Sequence, residues 1–108
     1  MGSGFAGKVV FITGAAGRAG SATAEAFAVE RASLGLIDGD ARALAAVADH
    51  LRLQGVRVET VIADPSDLTS CKAAIGTLLD IFDRVDVVIA AREGASIRAP
   101  SAADRPLT

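Results

Sequence analysis

The sequence predicts an α/β fold: an open, doubly wound parallel sheet of about four strands with three helices. Three observations carry that prediction. Short β-branched runs alternate with segments of helical period, β-α-β-α-β-α-β, without a break from Lys8 to Ala91. The runs are apolar on consecutive positions, as strands buried on both faces are. The first run passes through a glycine-spaced turn directly into an alanine-rich helix. Parallel strands need crossovers, and right-handed crossovers make an open doubly wound sheet, for which the expected order is 3-2-1-4.

Each element follows from local signals. Lys8–Thr13 (KVVFIT) is a β-branched run bounded by Gly7 and Gly14, hence a buried strand. Arg18 to Arg31 favours helix, with Ala22, Ala26 and Val29, and Phe27 beside them, as its expected buried stripe. Ser33–Asp38 (SLGLID) is a second strand ending at an acid. Asp40 is placed to cap a helix over Ala41–Gln54, whose Leu44, Val47, Ala48 and Leu51 share a face, and Gly55 follows its end. Val56–Ala63 is the third strand and Asp64–Asp67 (DPSD) a turn. A third helix runs from near Thr69 to Asp83, with Cys71, Ala74, Ile75, Leu78 and Phe82 at helical spacing. Val85–Ala91 is the fourth strand. The expected organisation is one folded unit over residues 1–91 and an irregular tail over 92–108, where periodicity stops and Arg, Pro and Ser accumulate.

Composition narrows the function classes. The chain of 108 residues is long enough for one domain and not for two. Its charges are mixed along the sequence with a net of −2, which favours neither nucleic acid nor an anionic membrane as partner. No apolar run approaches the roughly 20 residues that cross a bilayer. The start, Met1–Lys8, lacks the pattern of a secretory signal, and Ala6 stands where a myristoylation site needs Ser or Thr. The single Cys71 rules out an internal disulfide, which fits a reducing cytoplasm.

The turn after the first strand reads Thr13-Gly14-Ala15-Ala16-Gly17-Arg18-Ala19-Gly20. Gly14 supplies the positive φ of a tight turn. Gly17, without Cβ, lets backbone approach a pyrophosphate, and Gly20 lets the helix pack close to the strands. Phosphates would meet free N–H groups at the positive end of the helix dipole. The strand before, the helix after and a second strand ending in Asp38, eighteen residues beyond Gly20, supply the context this motif requires. A carboxylate at Asp38 accepts both ribose hydroxyls of adenosine and repels a 2′-phosphate. Gly39 and Asp40 follow it, with no Arg or Lys, so NAD is expected over NADP. The arrangement is Rossmann-like. The plainer alternatives are a tight turn using small residues for packing and an acid that only caps a turn. Arg18 has two readings, a charge-assisted phosphate donor or a side chain pointing into solvent.

Those residues resemble the short-chain dehydrogenase/reductases. GKVVFITGAAGRAGSATAEAFA is similar to the opening strand, cofactor loop and helix of that family, and LIDGDARALAAVADHLRLQG to its second strand and following helix. VETVIADPSDLTSCKAAIGTLLDIFDRVDVVI resembles the next stretch, so the likeness runs from Gly7 to about Ile89. It implies an NAD-dependent oxidoreductase, adenine contacts at Asp64 and the adjoining Pro65, and a strand end bordering the cofactor at Ala90 and Ala91. Departures accompany the match. The spacing Thr-Gly-x-x-Gly-x-x-Gly belongs to the extended branch, whereas the helix lengths and DRVDVVI look like the compact one. The compact branch places Asn-Asn-Ala-Gly where Ala90-Ala91-Arg92-Glu93 stands. Both branches therefore stay open.

The resemblance also implies chemistry that the chain does not hold. The family uses a Ser, a Tyr and a Lys four residues after it; this chain has no tyrosine, and its lysines are Lys8 and Lys72. No catalytic residue and no metal-ligand cluster is expected. His50 reads as a surface residue and Cys71 as a small buried one, and Asp64 and Asp67 as turn and helix-start acids rather than a carboxylate pair. Two functions follow. One is the NAD-binding portion of a short-chain oxidoreductase, cut short, designed as a half-domain, or continued out of frame after about residue 90. The other is a non-enzymatic nucleotide-binding or oligomerising module. The fourth strand offers an apolar edge through which the chain is expected to self-associate.

Overall fold

The computed structural model describes residues 4–91; the predicted tail, with Arg92 and Glu93, lies outside them. Four strands and three helices alternate: β1 (Val9–Thr13), α1 (Arg18–Val29), β2 (Ser33–Asp38), α2 (Ala41–Arg52), β3 (Val58–Ile62), α3 (Leu68–Phe82) and β4 (Val87–Ala90). All pairings are parallel and the order is β3-β2-β1-β4, as the alternation predicts. All five residues of β1 are buried, because it lies inside the sheet with helices on both faces.

The two sheet faces are filled by alternate residues of the same strands. Val10, Ile12, Leu34 and Leu36 pack with Ala24 and Ala28 of α1 and with Leu44, Ala48 and Leu51 of α2. Val9, Phe11 and Ile37 point the other way, onto Ala74, Leu78 and Phe82 of α3. On that second face β2 carries Gly35 opposite Phe11. A Cβ there would lie 2.7 Å from the Phe11 ring, so the glycine makes room for the largest residue of β1. Phe11 in turn meets Phe82 with ring centroids 5.9 Å apart.

The stripe expected on α1 is wrong by two residues. Gly20, Ala24 and Ala28 are buried, whereas Ala22, Ala26 and Val29 are exposed, Val29 at 63%. Alanine surrounds this helix, so hydrophobicity does not mark its inner face; close approach does, and the smallest residues at i, i+4 spacing face the strands. Phe27 is half-buried and packs edge-on to Phe5 instead. Helix α1 also stops at Val29 rather than Arg31. Arg31 takes a left-handed φ of 68°, and the N–H groups of Arg31 and Ala32 turn back to the carbonyls of Ala28 and Phe27.

The other boundaries shift by two residues at most, and β2 runs over Ser33–Asp38 as expected. Asp40 caps α2 as expected, accepting from the Ala43 N–H at 3.0 Å, and Gly55 beyond its end has φ +87°. Asp67 caps α3 through the Thr69 N–H at 3.0 Å. Asp86 extends the β1–β4 pairing with its side chain, Oδ2 accepting from the Val9 N–H at 2.8 Å.

Candidate nucleotide-binding site

The carboxyl ends of β1, β2, β3 and β4 meet at one edge of the sheet, where the chain leaves each strand in a turn. After β1, Gly14 takes φ +72°, a conformation that only glycine adopts without strain. The Ala15 N–H donates to the Ile37 carbonyl at 3.0 Å, carrying the β1–β2 ladder one residue further. The Ala16 N–H donates to Asp38 Oδ2 at 2.9 Å, and the Gly17 N–H to the Gly14 carbonyl at 3.2 Å. Gly17 is the N-cap of α1, with φ −77°, ψ 175° and no side-chain cap. The amides of Ala19 and Gly20 lie in the first turn of α1, where a helix offers no internal acceptor, so they open its positive end.

Gly20 is buried behind this turn. A Cβ on it would sit 2.0 Å from the Gly14 carbonyl oxygen and 2.8 Å from the Ala15 Cα. The third glycine therefore acts at the contact between helix and turn, where no side chain fits.

Asp38 ends β2 half-buried, and both its oxygens are engaged. Oδ2 holds the Ala16 N–H, and Oδ1 accepts from the Asp40 N–H at 3.0 Å. Beyond β3, Asp64 Oδ1 accepts from the Ser66 hydroxyl at 2.7 Å and the Ser66 N–H at 2.9 Å. The Ser66 hydroxyl first, and its N–H second, hold the Asp64 carboxyl below its ordinary value. Beyond β4, the Ala91 N–H donates to the Thr13 carbonyl at 3.0 Å.

These turns enclose a cleft of about 440 Å³, within the roughly 300–1,000 Å³ of small-molecule sites. Of the residues singled out in the sequence, Gly14, Gly17, Asp38, Pro65 and Ala91 line it. Arg18 and Ala19 stand at the helix start above it, Arg18 exposed, and Gly20 lies behind. Asp64 and Ala90 adjoin the lining residues Pro65 and Ala91 without lining the cleft themselves. Ala16, Asp40, Ala43 and Ser66 also line it and escape sequence reasoning. Asp40 and Ser66 carried a usable signal, since each follows a singled-out acid by two residues and folds back onto it.

The tempting residues elsewhere are structural. His50 Nε2 meets Glu25 Oε1 at 3.2 Å on the outer surface between α2 and α1. Cys71 is half-buried rather than buried, its thiol turned to the Pro65 carbonyl at 3.4 Å. Among the described residues no group of three or more His, Cys, Asp or Glu side chains is placed to hold a metal ion, and no helix is long and apolar enough to cross a membrane.

The chemistry of the site fits a dinucleotide. It combines a turn that Gly14 bends through a positive φ, a helix N-terminus for an anion, and a carboxylate one strand away for vicinal hydroxyls. Comparison with known proteins agrees. A family model described as short chain dehydrogenase matches residues 8–104, so the likeness continues past Ile89 into residues beyond those described. The (2S)-[(R)-hydroxy(phenyl)methyl]succinyl-CoA dehydrogenase subunit BbsD of Thauera aromatica is 32% identical over 86 residues, 80% of this chain and 35% of that protein. Among solved structures, a short chain dehydrogenase/reductase from Burkholderia phymatum in complex with NAD is 38% identical with a TM-score of 0.73, covering 78% of this chain and 30% of the other. An alcohol dehydrogenase from the archaeon Thermococcus sibiricus, complexed with 5-hydroxy-NADP, is 35% identical with a TM-score of 0.70, covering 75% and 35%. The chain thus spans about a third of the length of these relatives. They are oxidoreductases, which does not favour the alternative of a non-enzymatic module. With the strand order, the glycine turn and the acid at the end of β2 all in their places, this chain belongs to the short-chain dehydrogenase family.

Proposed function

We propose that the chain is the NAD-binding part of a short-chain oxidoreductase. The observation that carries this reading is the Asp38 carboxylate, which lines the same cleft as Gly14 and Gly17. Two relatives, one holding NAD and one holding 5-hydroxy-NADP, support a nicotinamide dinucleotide of either kind. The acids lining the cleft support NAD: Asp38 would accept ribose hydroxyls, and a 2′-phosphate would meet the carboxylates of both Asp38 and Asp40. In this reading Gly17 and the Ala19 and Gly20 amides, with Arg18, would hold the pyrophosphate, and Pro65 and Asp64 would hold the adenine. Ala90 and Ala91 would border the nicotinamide.

The bound nicotinamide supplies hydride chemistry. The chain's own part is to orient the dinucleotide and to select it by charge. With no tyrosine, and with Lys8 and Lys72 outside the lining of the cleft, the chain does not hold the Tyr and Lys by which the family moves a proton, so we expect binding without turnover. Calorimetric titration tests the reading. NAD should bind about tenfold or more tighter than NADP, and Asp38→Ala should remove most of that difference. Equal affinities in the wild-type chain, or no heat at millimolar NAD, would overturn it.

We further propose that a second copy pairs with β4. Among the described residues β4 hydrogen-bonds only to β1, and Val88 is 49% exposed. Light scattering at high concentration should report a dimer or larger species, and a monodisperse monomer would refute the pairing. The single thiol supports a cytoplasmic location, which cell fractionation tests.

A further inference from the structure

We propose that Asp38 has a second task beyond reading the ribose: its carboxylate clamps the glycine turn in the shape that receives the pyrophosphate. The inference rests on the nucleotide reading above. Along the turn the amides of Ala15, Gly17 and Ser21 donate to the backbone carbonyls of Ile37, Gly14 and Gly17. The Ala16 N–H donates instead to a side chain, Asp38 Oδ2 at 2.9 Å, from a residue 22 positions further along. Residues 14–20 carry no side-chain acceptor of their own, and Gly17 caps α1 without one. The turn therefore draws its side-chain acceptor from β2.

The two tasks are compatible. Each carboxylate oxygen has room for two donors, so Oδ2 holds the Ala16 N–H and still accepts a ribose hydroxyl. Oδ1 is shared in the same way with the Asp40 N–H, at the cap of α2. One carboxylate thus joins the pyrophosphate turn, the ribose and the start of α2. Asp38 is a positioning residue for the phosphates as well as a contact for the sugar. Removing it should weaken even a ligand that has no ribose hydroxyls to offer.

The test compares the wild-type chain with Asp38→Ala and Asp38→Asn. Each is titrated with NAD and with the NAD analogue lacking the 2′ and 3′ hydroxyls of its adenosine ribose. Amide hydrogen exchange at Ala16 is read in parallel by NMR. With the clamp, Asp38→Ala binds the dideoxy analogue about tenfold more weakly than wild type, and Ala16 exchanges about tenfold faster or more. Asp38→Asn keeps an oxygen for the Ala16 N–H, so it retains analogue affinity and slow exchange while losing affinity for NAD. If Asp38→Ala binds the analogue as wild type does, or Ala16 exchange is unchanged, Asp38 reads the ribose only and the clamp is refuted. Should Asp38→Ala fail to fold, Asp38→Ser, too short to reach Ala16, gives the same two outcomes. If wild type binds neither ligand, the nucleotide reading falls, and Ala16 exchange still decides the clamp.

Discussion

Replacing Gly20 by alanine tests the packing on which the turn depends. The new methyl carbon would stand 2.0 Å from the Gly14 carbonyl oxygen and 2.8 Å from both the Gly14 carbonyl carbon and the Ala15 Cα. All three are backbone atoms in a turn pinned on one side by β1 and on the other by the bond from Ala15 N–H to Ile37, so none can rotate away. Helix α1 has to move outward, and Ala24 and Ala28 then lose contact with the sheet. Such overpacking costs about 3 kcal/mol or more. Against it, alanine in a helix gains about 1 kcal/mol over glycine. The net loss of about 2 kcal/mol should lower the melting temperature by about 8–16 °C for a domain of this size. Gly76 is the control: it lies within α3, and a Cβ there meets nothing within 4 Å. Gly76→Ala should therefore raise stability by about 0.5–1 kcal/mol. Circular dichroism melts of the three chains read both effects. A melting temperature for Gly20→Ala within about 2 °C of wild type, well inside the expected shift, would refute the close contact between helix and turn.

Two further substitutions address other parts of the fold. Asp83 ends α3 in a left-handed conformation, φ 67°, with its N–H on the Leu79 carbonyl at 2.8 Å. Asp83→Gly relieves that backbone and should stabilise by about 0.5–1 kcal/mol, read as a higher urea midpoint with an unchanged slope. Asp86 is held below its ordinary value first by the Arg84 side chain, at 2.6 Å, and then by the Val9 N–H. A carboxylate with a depressed folded pKa stabilises above its unfolded value and loses that contribution as pH falls through the folded one. Wild-type stability should thus decline from near pH 4 downward, and Asp86→Asn should flatten that limb of the pH profile in urea melts.

The order of elements was legible because strand and helix periods alternate cleanly, and because each turn carries its own chemistry. Asp40 and Gly55 bracket α2 through a cap and a positive φ, both of which are properties of single residues. The inner face of α1 was not legible. Alanine at position 22 and alanine at position 24 are the same residue in sequence, and only the distance between helix and strands tells them apart. Gly35 is a similar case. Its reason lies in Phe11, 24 residues earlier, and a single strand does not reveal which partner needs the space.

The site divides along the same line. Gly14 and Asp38 were legible because a positive φ and a carboxylate at a strand end are local requirements. What spacing does not contain is the use of each amide. The motif offers a series of N–H groups to a phosphate, yet Ala15, Ala16 and Gly17 spend theirs on Ile37, Asp38 and Gly14. The Ala19 and Gly20 amides in the first turn of α1 are placed to meet an anion, so the glycines serve mainly to bend the chain and bring that start within reach. Asp38, the acid proposed to select the sugar, also holds that bend through the Ala16 N–H. Changing cofactor preference by substituting Asp38 would therefore disturb the phosphate seat as well, unless the replacement keeps an acceptor facing Ala16.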